Sequence, residues 1–431
     1  MRLLRQETEA SRTRALAPTY GKFHPRSIDL TSRTTRQALL ADAGATHPVL
    51  IAAAEYFFNR DGGKKIRPTM VLLMAYACNA DAAAATASAG GAAEPPAPAL
   101  STAAWLERAG RAPCFAAQRR LAEIAEMIHT ASLFHDDVID KSATRRGAPS
   151  VNATFGNKVA ILAGDFLLAR ASVSLARLRD VAAVELLSVV IEDLVRGETM
   201  QMKPPNLAPA SLLDDVMTGT SAMAASGDVD ELMAFYLRKN YYKTGSLMAN
   251  SCRAAALLGG HDDDVQRAAF AYGRHVGLAF QLIDDVLDFE GSTASLGKPA
   301  LADLQQGLAT APVLLAAEEH PRALRPLIAR KFAAPGDVDA ALACVRASEG
   351  LPRAKALAVS QAEMAVDALG RLAPSPARDA LANLAHKVGA QQGSPSCARE
   401  STRARERKGT RKKTHKRKIG RVEVSQPCCR S

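Results

Sequence analysis

Two short acidic stretches with the same spacing carry the chemistry in this sequence. Asp136, Asp137 and Asp140 lie in FHDDVIDKSATRRG (134–147), and Asp284, Asp285 and Asp288 lie in QLIDDVLDFEG (281–291). On an α-helix, the Asp-Asp-x-x-Asp spacing puts the first and last carboxylates of each set on one face, a turn apart. Two such faces turned towards each other would repel severely unless divalent cations sat between them. Oxygen-only ligands at this density suit Mg²⁺, which bridges a few carboxylates to substrate phosphates and keeps some of its water. The plainer reading is a pair of solvated acidic helix ends. It is weakened because each stretch follows an apolar helical run and repeats the other's pattern.

Cations accompany the carboxylates. DGGKKIRP (61–68) is a Gly-rich turn that delivers Lys64, Lys65 and Arg67 ahead of an apolar helix. The glycines allow close approach to an anion, and Arg67 can fork onto phosphate oxygens. By itself such a turn is as often a surface feature. Arg145 and Arg146 follow the first aspartate set and suit a diphosphate. YYKTG (241–245) reads as the start of an apolar helix whose N-terminus, with Lys243 and the Thr244 hydroxyl, would take an anion. Lys298 after Gly297 offers one more cation, and Gln281 shares a helix face with Gly277, Asp284 and Asp288. His129 lies two turns before Asp136 on the same face. It reads either as a satisfied helical histidine or as a substrate contact.

The elements that position these residues read as helices. Hydrophobic residues make up 48% of the 431 residues and aromatics only 5%, so Ala, Leu and Val supply an ample core and favour helix over sheet. Residues 35–58 suggest two helices broken at His47-Pro48, and 118–140 form an amphipathic helix that ends in the first aspartate set. A helix pair follows over 152–177, then a helix over 181–195. The second aspartate helix runs from 268 to 288, and proline-broken helices occupy about 309–388. Residues 79–117, rich in Ala, Gly, Pro and Ser, read as a low-complexity insert, and 203–230 as a loop or short insert.

Charge and cysteine usage exclude several classes. The net charge of +11 looks like a nucleic-acid signal until it is located: residues 399–431 hold 13 Lys or Arg against three Glu, which leaves a nearly neutral body. The segment 391–431 therefore reads as a basic disordered tail, with no specific nucleic-acid partner. Seven cysteines show neither C-x-x-C nor zinc spacing and read as reduced. No apolar run looks long enough to span a membrane, so the chain is expected to be soluble or peripheral, with membrane contact for product release. Residues 1–35 form an N-terminal extension rich in Arg, Ser and Thr. It resembles a transit segment, weakened by Glu7 and Glu9, with an unstructured terminus as the alternative.

The motifs GGKKIRP, DDVIDKSATRRG, YYKTG, QLIDDVLD and GK occur in the order and at about the spacing of the trans-isoprenyl diphosphate synthases, and over residues 36–390 the chain resembles that polyprenyl synthetase family. The resemblance implies an all-α fold, a single large helical bundle around a central cavity. It implies a homodimer, or a heteromer with a related subunit, and Mg²⁺-dependent head-to-tail condensation of isopentenyl diphosphate onto an allylic diphosphate. Carried over by position, Asp136, Asp140, Asp284 and Asp288 would serve about three Mg²⁺ ions, with Asp137 and Asp285 in support. Arg145, Lys243, Thr244, Gln281 and Lys298 would face the allylic diphosphate. Lys64, Arg67, His129 and Arg146 would hold isopentenyl diphosphate.

One position departs from the family pattern. Asp303-Leu-Gln-Gln-Gly-Leu308 has an apolar residue where many members have Lys, although ADLQQGLATAPVLL resembles the ubiquinone side-chain branch. Small residues at Ala131 and Ser132, five and four positions before Asp136, would leave the path of the growing chain open where short-product members tend to place an aromatic. The expected product is therefore a long-chain all-trans polyprenyl diphosphate for a prenylquinone. A farnesyl- or geranylgeranyl-length synthase and a non-catalytic partner subunit are the alternatives. The N-terminus and the quinone-branch resemblance both point to mitochondria, with plastid or cytoplasm as alternatives.

Overall fold

A chain whose apolar surface comes mostly from Ala, Leu and Val buries it by close helix packing, and the computed structural model shows that architecture. It describes residues 48–58, 65–80, 115–145, 147–201, 229–290 and 301–390. The N-terminal extension, most of the 79–117 insert, the 203–230 segment up to residue 228, the tail, and Lys64, Arg146 and Lys298 lie outside the described residues.

The first half contains α1 (Pro48–Phe58), α2 (Ile66–Cys78) and α3 (Ala116–Ile139). A two-residue hairpin, β1 (Thr144–Arg145) with β2 (Ala148–Pro149), is followed by α4 (Val151–Phe155), α5 (Asn157–Ala176) and α6 (Val181–Gln201). Then come α7 (Val229–Asn240), a π-helical turn (Tyr241–Gly245), α8 (Ser246–Leu258) and α9 (Asp263–Glu290). The C-terminal part holds α10 (Ala302–Gln305), α11 (Ala311–Glu319), α12 (Pro321–Ala329), α13 (Asp337–Arg346), α14 (Gly350–Ala368) and α15 (Pro376–Gly389).

Two hydrophobic cores share one helix. The N-terminal half of α9 (Ala269, Tyr272, Val276, Ala279) packs in a core with α2, α3, α5 and α8, whereas its C-terminal half (Leu282, Ile283, Val286, Phe289) belongs to a second core with α7 and α11–α14. The second aspartate set thus sits on the half of α9 held by the second core, and α3, which carries the first set, lies in the other.

The ends of the 79–117 insert belong to the folded body. Asn79 is buried, its amide donates to Gln118 Oε1 at 3.0 Å, and its Oδ1 meets His261 Nε2 at 2.9 Å. Gln118 in turn donates to the Ala255 carbonyl at 2.7 Å, so the insert springs from a fixed base and α3 begins at Ala116, inside the expected insert.

Two expectations are corrected. Tyr241–Gly245 does not open a helix: Asn240 and Ser246 both keep right-handed helical angles, and the Ser246 N–H donates to the Tyr241 carbonyl. Helix α7 therefore runs into α8 through a π turn, its N–H groups are spent on the helix itself, and no N-terminal anion site exists there. The second concerns membrane spans. Helix α5 is long and apolar enough by composition, yet it packs against α3 with Ala160, Ala163, Leu167 and Ala171 in the core.

Candidate active site

In each aspartate set the second residue turns inward and is held by the protein. Asp137, 2% exposed, accepts both Nε and Nη2 of Arg145 on Oδ1 at 2.7 Å. The hairpin makes this possible, because it folds the chain back over the end of α3: the Ser142 N–H bonds the Asp137 carbonyl at 2.9 Å, and the Asn152 amide donates to the same oxygen at 3.1 Å. Asp285 is likewise buried. It accepts the Tyr236 hydroxyl on Oδ2 at 2.6 Å and the Gln281 amide on Oδ1 at 2.7 Å. Burial, with Asp303 beside it, pushes Asp285 up against the pull of Tyr236, Gln281 and Lys239.

The other carboxylates of the two sets differ in exposure. Asp136 is half-buried, and Asp140 and Asp284 are exposed. Burial pushes Asp136 up to about 6; Lys243 and Arg145 oppose that, while Glu198 and Asp140 add to it. Partial loss of hydration raises Asp140 as well, although it is the more exposed of the two, with the same Lys243, Glu198 and Arg145 around it. Asp288 is placed differently: it is 1% exposed, and its Oδ2 accepts the Asp303 N–H at 3.3 Å, against the backbone that returns at Leu301.

The π turn joins the two sets. Its consecutive residues reach different helices, since Lys243 Nζ contacts Glu198 Oε2 at 2.5 Å and Gln201 Oε1 at 3.0 Å on α6, whereas Thr244 Oγ1 donates to Gln281 Oε1 at 3.2 Å on α9. Two glycines allow the close approach. A Cβ on Gly277 would lie 2.6 Å from Gly245 Cα, and one on Gly197 would lie 2.7 Å from Lys243 Cγ. Helix α6 is pinned to α8 by the Ser246 hydroxyl on Asp193 at 2.5 Å, which sets Glu198 and Gln201 against the lysine.

A second basic cluster lies two turns up α3. Arg67 Nη1 meets His129 Nε2 at 2.9 Å, and Lys65 Nζ pairs with Glu126 Oε1 at 3.0 Å. The start of α2 therefore docks on one face of α3, and the arginine and histidine come together although 62 positions apart. Ala131 is fully buried, and Ser132 is half-buried with its hydroxyl turned back to the His129 carbonyl at 2.9 Å.

Sequence reasoning missed Glu198, Gln201, Tyr236 and Lys239. Glu198 and Gln201 stand one helical turn apart at the end of α6 after Gly197, a pairing of one acidic and one amide residue on a single face that was the available signal. Nothing local marks Tyr236 or Lys239.

The residues fit a divalent cation. Several acidic groups crowd a partly buried place where one of them is held well above the usual carboxylate range, so that a cation would relieve them, and the donors are all oxygens. Among the described residues no three His, Cys, Asp or Glu groups converge on one point.

Residues 47–345 match the family model described as polyprenyl synthetase. The chain is 46% identical over 358 residues to the probable mitochondrial hexaprenyl pyrophosphate synthase of Neurospora crassa, covering 80% of this chain and 76% of that protein. It is 43% identical over 335 residues to the mitochondrial solanesyl-diphosphate synthase 1 of Oryza sativa, covering 78% and 69%. The crystal structure of polyprenyl synthase from Caulobacter crescentus, complexed with calcium and isoprenyl diphosphate, superposes with a TM-score of 0.66 at 27% identity, over 87% of this chain and 99% of that one. Motif order, helical architecture and a match over most of the chain agree: the chain belongs to the polyprenyl synthetase family.

Proposed function

We propose that this chain is a mitochondrial trans-polyprenyl diphosphate synthase that condenses isopentenyl diphosphate head-to-tail with an allylic diphosphate and makes a long product for a prenylquinone. The observation that carries it is Lys243, set between Glu198 and Gln201, acting on Asp136 and Asp140 while its neighbour Thr244 bonds Gln281 of the second set. The names of the relatives, hexaprenyl and solanesyl synthases of mitochondria, support the length class and the compartment.

The residues divide the work. Asp136, Asp140 and Asp284 hold Mg²⁺, which, with about three ions bound, supplies Lewis-acid neutralisation of the leaving diphosphate. Lys243 and Thr244 exchange their protein partners for the oxygens of the allylic diphosphate. Arg145 commits its Nε and Nη2 edge to Asp137 and keeps Nη1 for a phosphate oxygen. Arg67 and His129 hold isopentenyl diphosphate. As the allylic C–O bond breaks, these fixed charges stabilise the departing diphosphate; the isopentenyl double bond attacks the allylic carbon, and the diphosphate accepts the proton then lost.

A second copy of the chain is the proposed partner. Ile161, Leu162 and Val173 on α5 and Val181, Val189 and Val195 on α6 are exposed apolar residues on neighbouring helices, a surface that a homodimer would cover.

The test is product sizing with labelled isopentenyl diphosphate, a farnesyl primer and Mg²⁺. A product of roughly C30 to C50 is expected, since each added unit would bury more apolar surface along the path proposed for the growing chain. Ala131→Tyr should shorten it to about C15 or C20 while leaving the first condensation intact, because the ring would stand one to two turns before Asp136 in the path proposed for the growing chain. A wild type that stops at C20, or a Tyr variant with full-length product, refutes the long-chain assignment.

A further inference from the structure

The second aspartate set rests on two residues of α7 that no motif singles out. Tyr236 donates to Asp285 Oδ2 at 2.6 Å, and Lys239, 8% exposed, has its ammonium 5.8 Å from the centre of the Tyr236 ring. The charged groups facing that ammonium come from four other elements: Asp285 on α9, Asp303 at α10, Glu198 on α6, and Lys243 in the π turn. Burial pulls Lys239 down, and Asp285 and Asp303 hold it up. A position that only filled space would be better served by Met or Leu, because a buried ammonium is costly to desolvate. Asp303 also begins the Asp-Leu-Gln-Gln-Gly stretch that ends in Leu308 rather than a cation, so Lys239 brings positive charge to this carboxylate pair from a different helix.

We propose that Tyr236 and Lys239 are positioning residues for the diphosphate end of the site: the hydroxyl fixes Asp285, the ammonium balances Asp285 and Asp303, and Asp285 thereby orients Gln281 and, through it, Thr244. The relay is continuous, from Tyr236 to Asp285 at 2.6 Å, Gln281 to Asp285 at 2.7 Å, and Thr244 to Gln281 at 3.2 Å. A carboxylate only accepts, so Gln281 must give it the amide NH₂ and turn its carbonyl oxygen to Thr244. Without the anchor, Gln281 is free to flip, and Thr244 loses its fixed direction.

This inference rests on the proposed condensation, and the test separates the two. Lys239→Met, Lys239→Arg, Tyr236→Phe, Asp285→Asn and the double variant Lys239→Met/Asp285→Asn are compared by kcat and KM for each substrate, by thermal unfolding, and by calorimetry with Mg²⁺ and inorganic diphosphate. Lys239→Met should unfold near the wild-type temperature and lose about 10- to 100-fold in kcat/KM for the allylic diphosphate, the scale of a misplaced substrate contact. KM for isopentenyl diphosphate should stay within about twofold, since its proposed site lies elsewhere, at Arg67 and His129. Lys239→Arg should recover most of the loss, and the double variant should be no worse than Asp285→Asn, because Lys239 acts through that carboxylate. Wild-type kinetics in Lys239→Met, a full additional loss in the double variant, or a loss equal for both substrates overturns the inference. If the wild type makes no product, the functional reading fails instead; calorimetry then decides, and diphosphate binding that Lys239→Met leaves unweakened overturns the positioning role.

Discussion

Gly277→Ala tests the contact that ties the second aspartate helix to the π turn. The added Cβ would lie 2.6 Å from Gly245 Cα and 3.5 Å from Met248 Sδ. Carbon atoms rest about 3.5–4.0 Å apart, so α9 and the turn must separate by about 1 Å. Overpacking of this kind costs about 1–3 kcal/mol of stability. Gly245 directly follows Thr244, so the displacement passes to the lysine and threonine, and a misplacement of about 1 Å costs on the order of 10²-fold in rate. Gly273→Ala is the matched control. Its Cβ would run into the Met248 carbonyl oxygen and come within 2.8 Å of Ala249 Cα, on the same α8–α9 interface but one turn further from Lys243. Thermal unfolding should report similar destabilisation of both variants. Initial rates with an allylic primer, isopentenyl diphosphate and Mg²⁺ should fall about 10²-fold only in Gly277→Ala. A Gly277→Ala enzyme with the wild-type rate, or a Gly273→Ala enzyme that loses as much, refutes this account of the π turn.

Replacing Asp136 or Asp284 by Ala removes an outward carboxylate and should lower turnover at least about 10²-fold with the fold intact, the scale of losing one transition-state contact; normal turnover in either variant would sink the metal assignment. Arg67→Ala should raise KM for isopentenyl diphosphate far more than for the allylic substrate, because the arginine belongs to the separate His129 cluster; equal weakening of both would make that cluster structural. The pH dependence of stability has a definite sign. Asp136 is raised from 3.8 to about 6, so between those values the folded chain holds a proton that the unfolded chain has released. Stability of the metal-free protein therefore falls from this group as pH rises through that window, and the loss is complete above it. Unfolding followed across the window should show the slope reduced in Asp136→Asn and by saturating Mg²⁺; an unchanged slope in the variant would place the titration elsewhere.

The helical class, the two aspartate sets and the nearby Arg145 and Lys243 were legible in the sequence because each is a local pattern: composition, a one-turn spacing, and a short run of residues in order. The start of one helix at Pro48 and a helix pair over about 152–177 also followed from local pattern. What the tertiary structure decided was which carboxylates turn inward. Asp136 and Asp137, or Asp284 and Asp285, are identical neighbours in sequence, and only the arrival of Arg145 through a hairpin, or of Tyr236 from 49 positions away, makes the second of each pair a buried anchor. The π turn was illegible for the same reason. YYKTG reads as a helix start, whereas in the structure it continues α7 as a π turn whose Gly245 lies close against Gly277 of α9. Glu198, Gln201 and Lys239 became part of the site only when helices distant in sequence packed together, because a charge is recognised as functional by what faces it, and in a helical bundle those neighbours come from other helices.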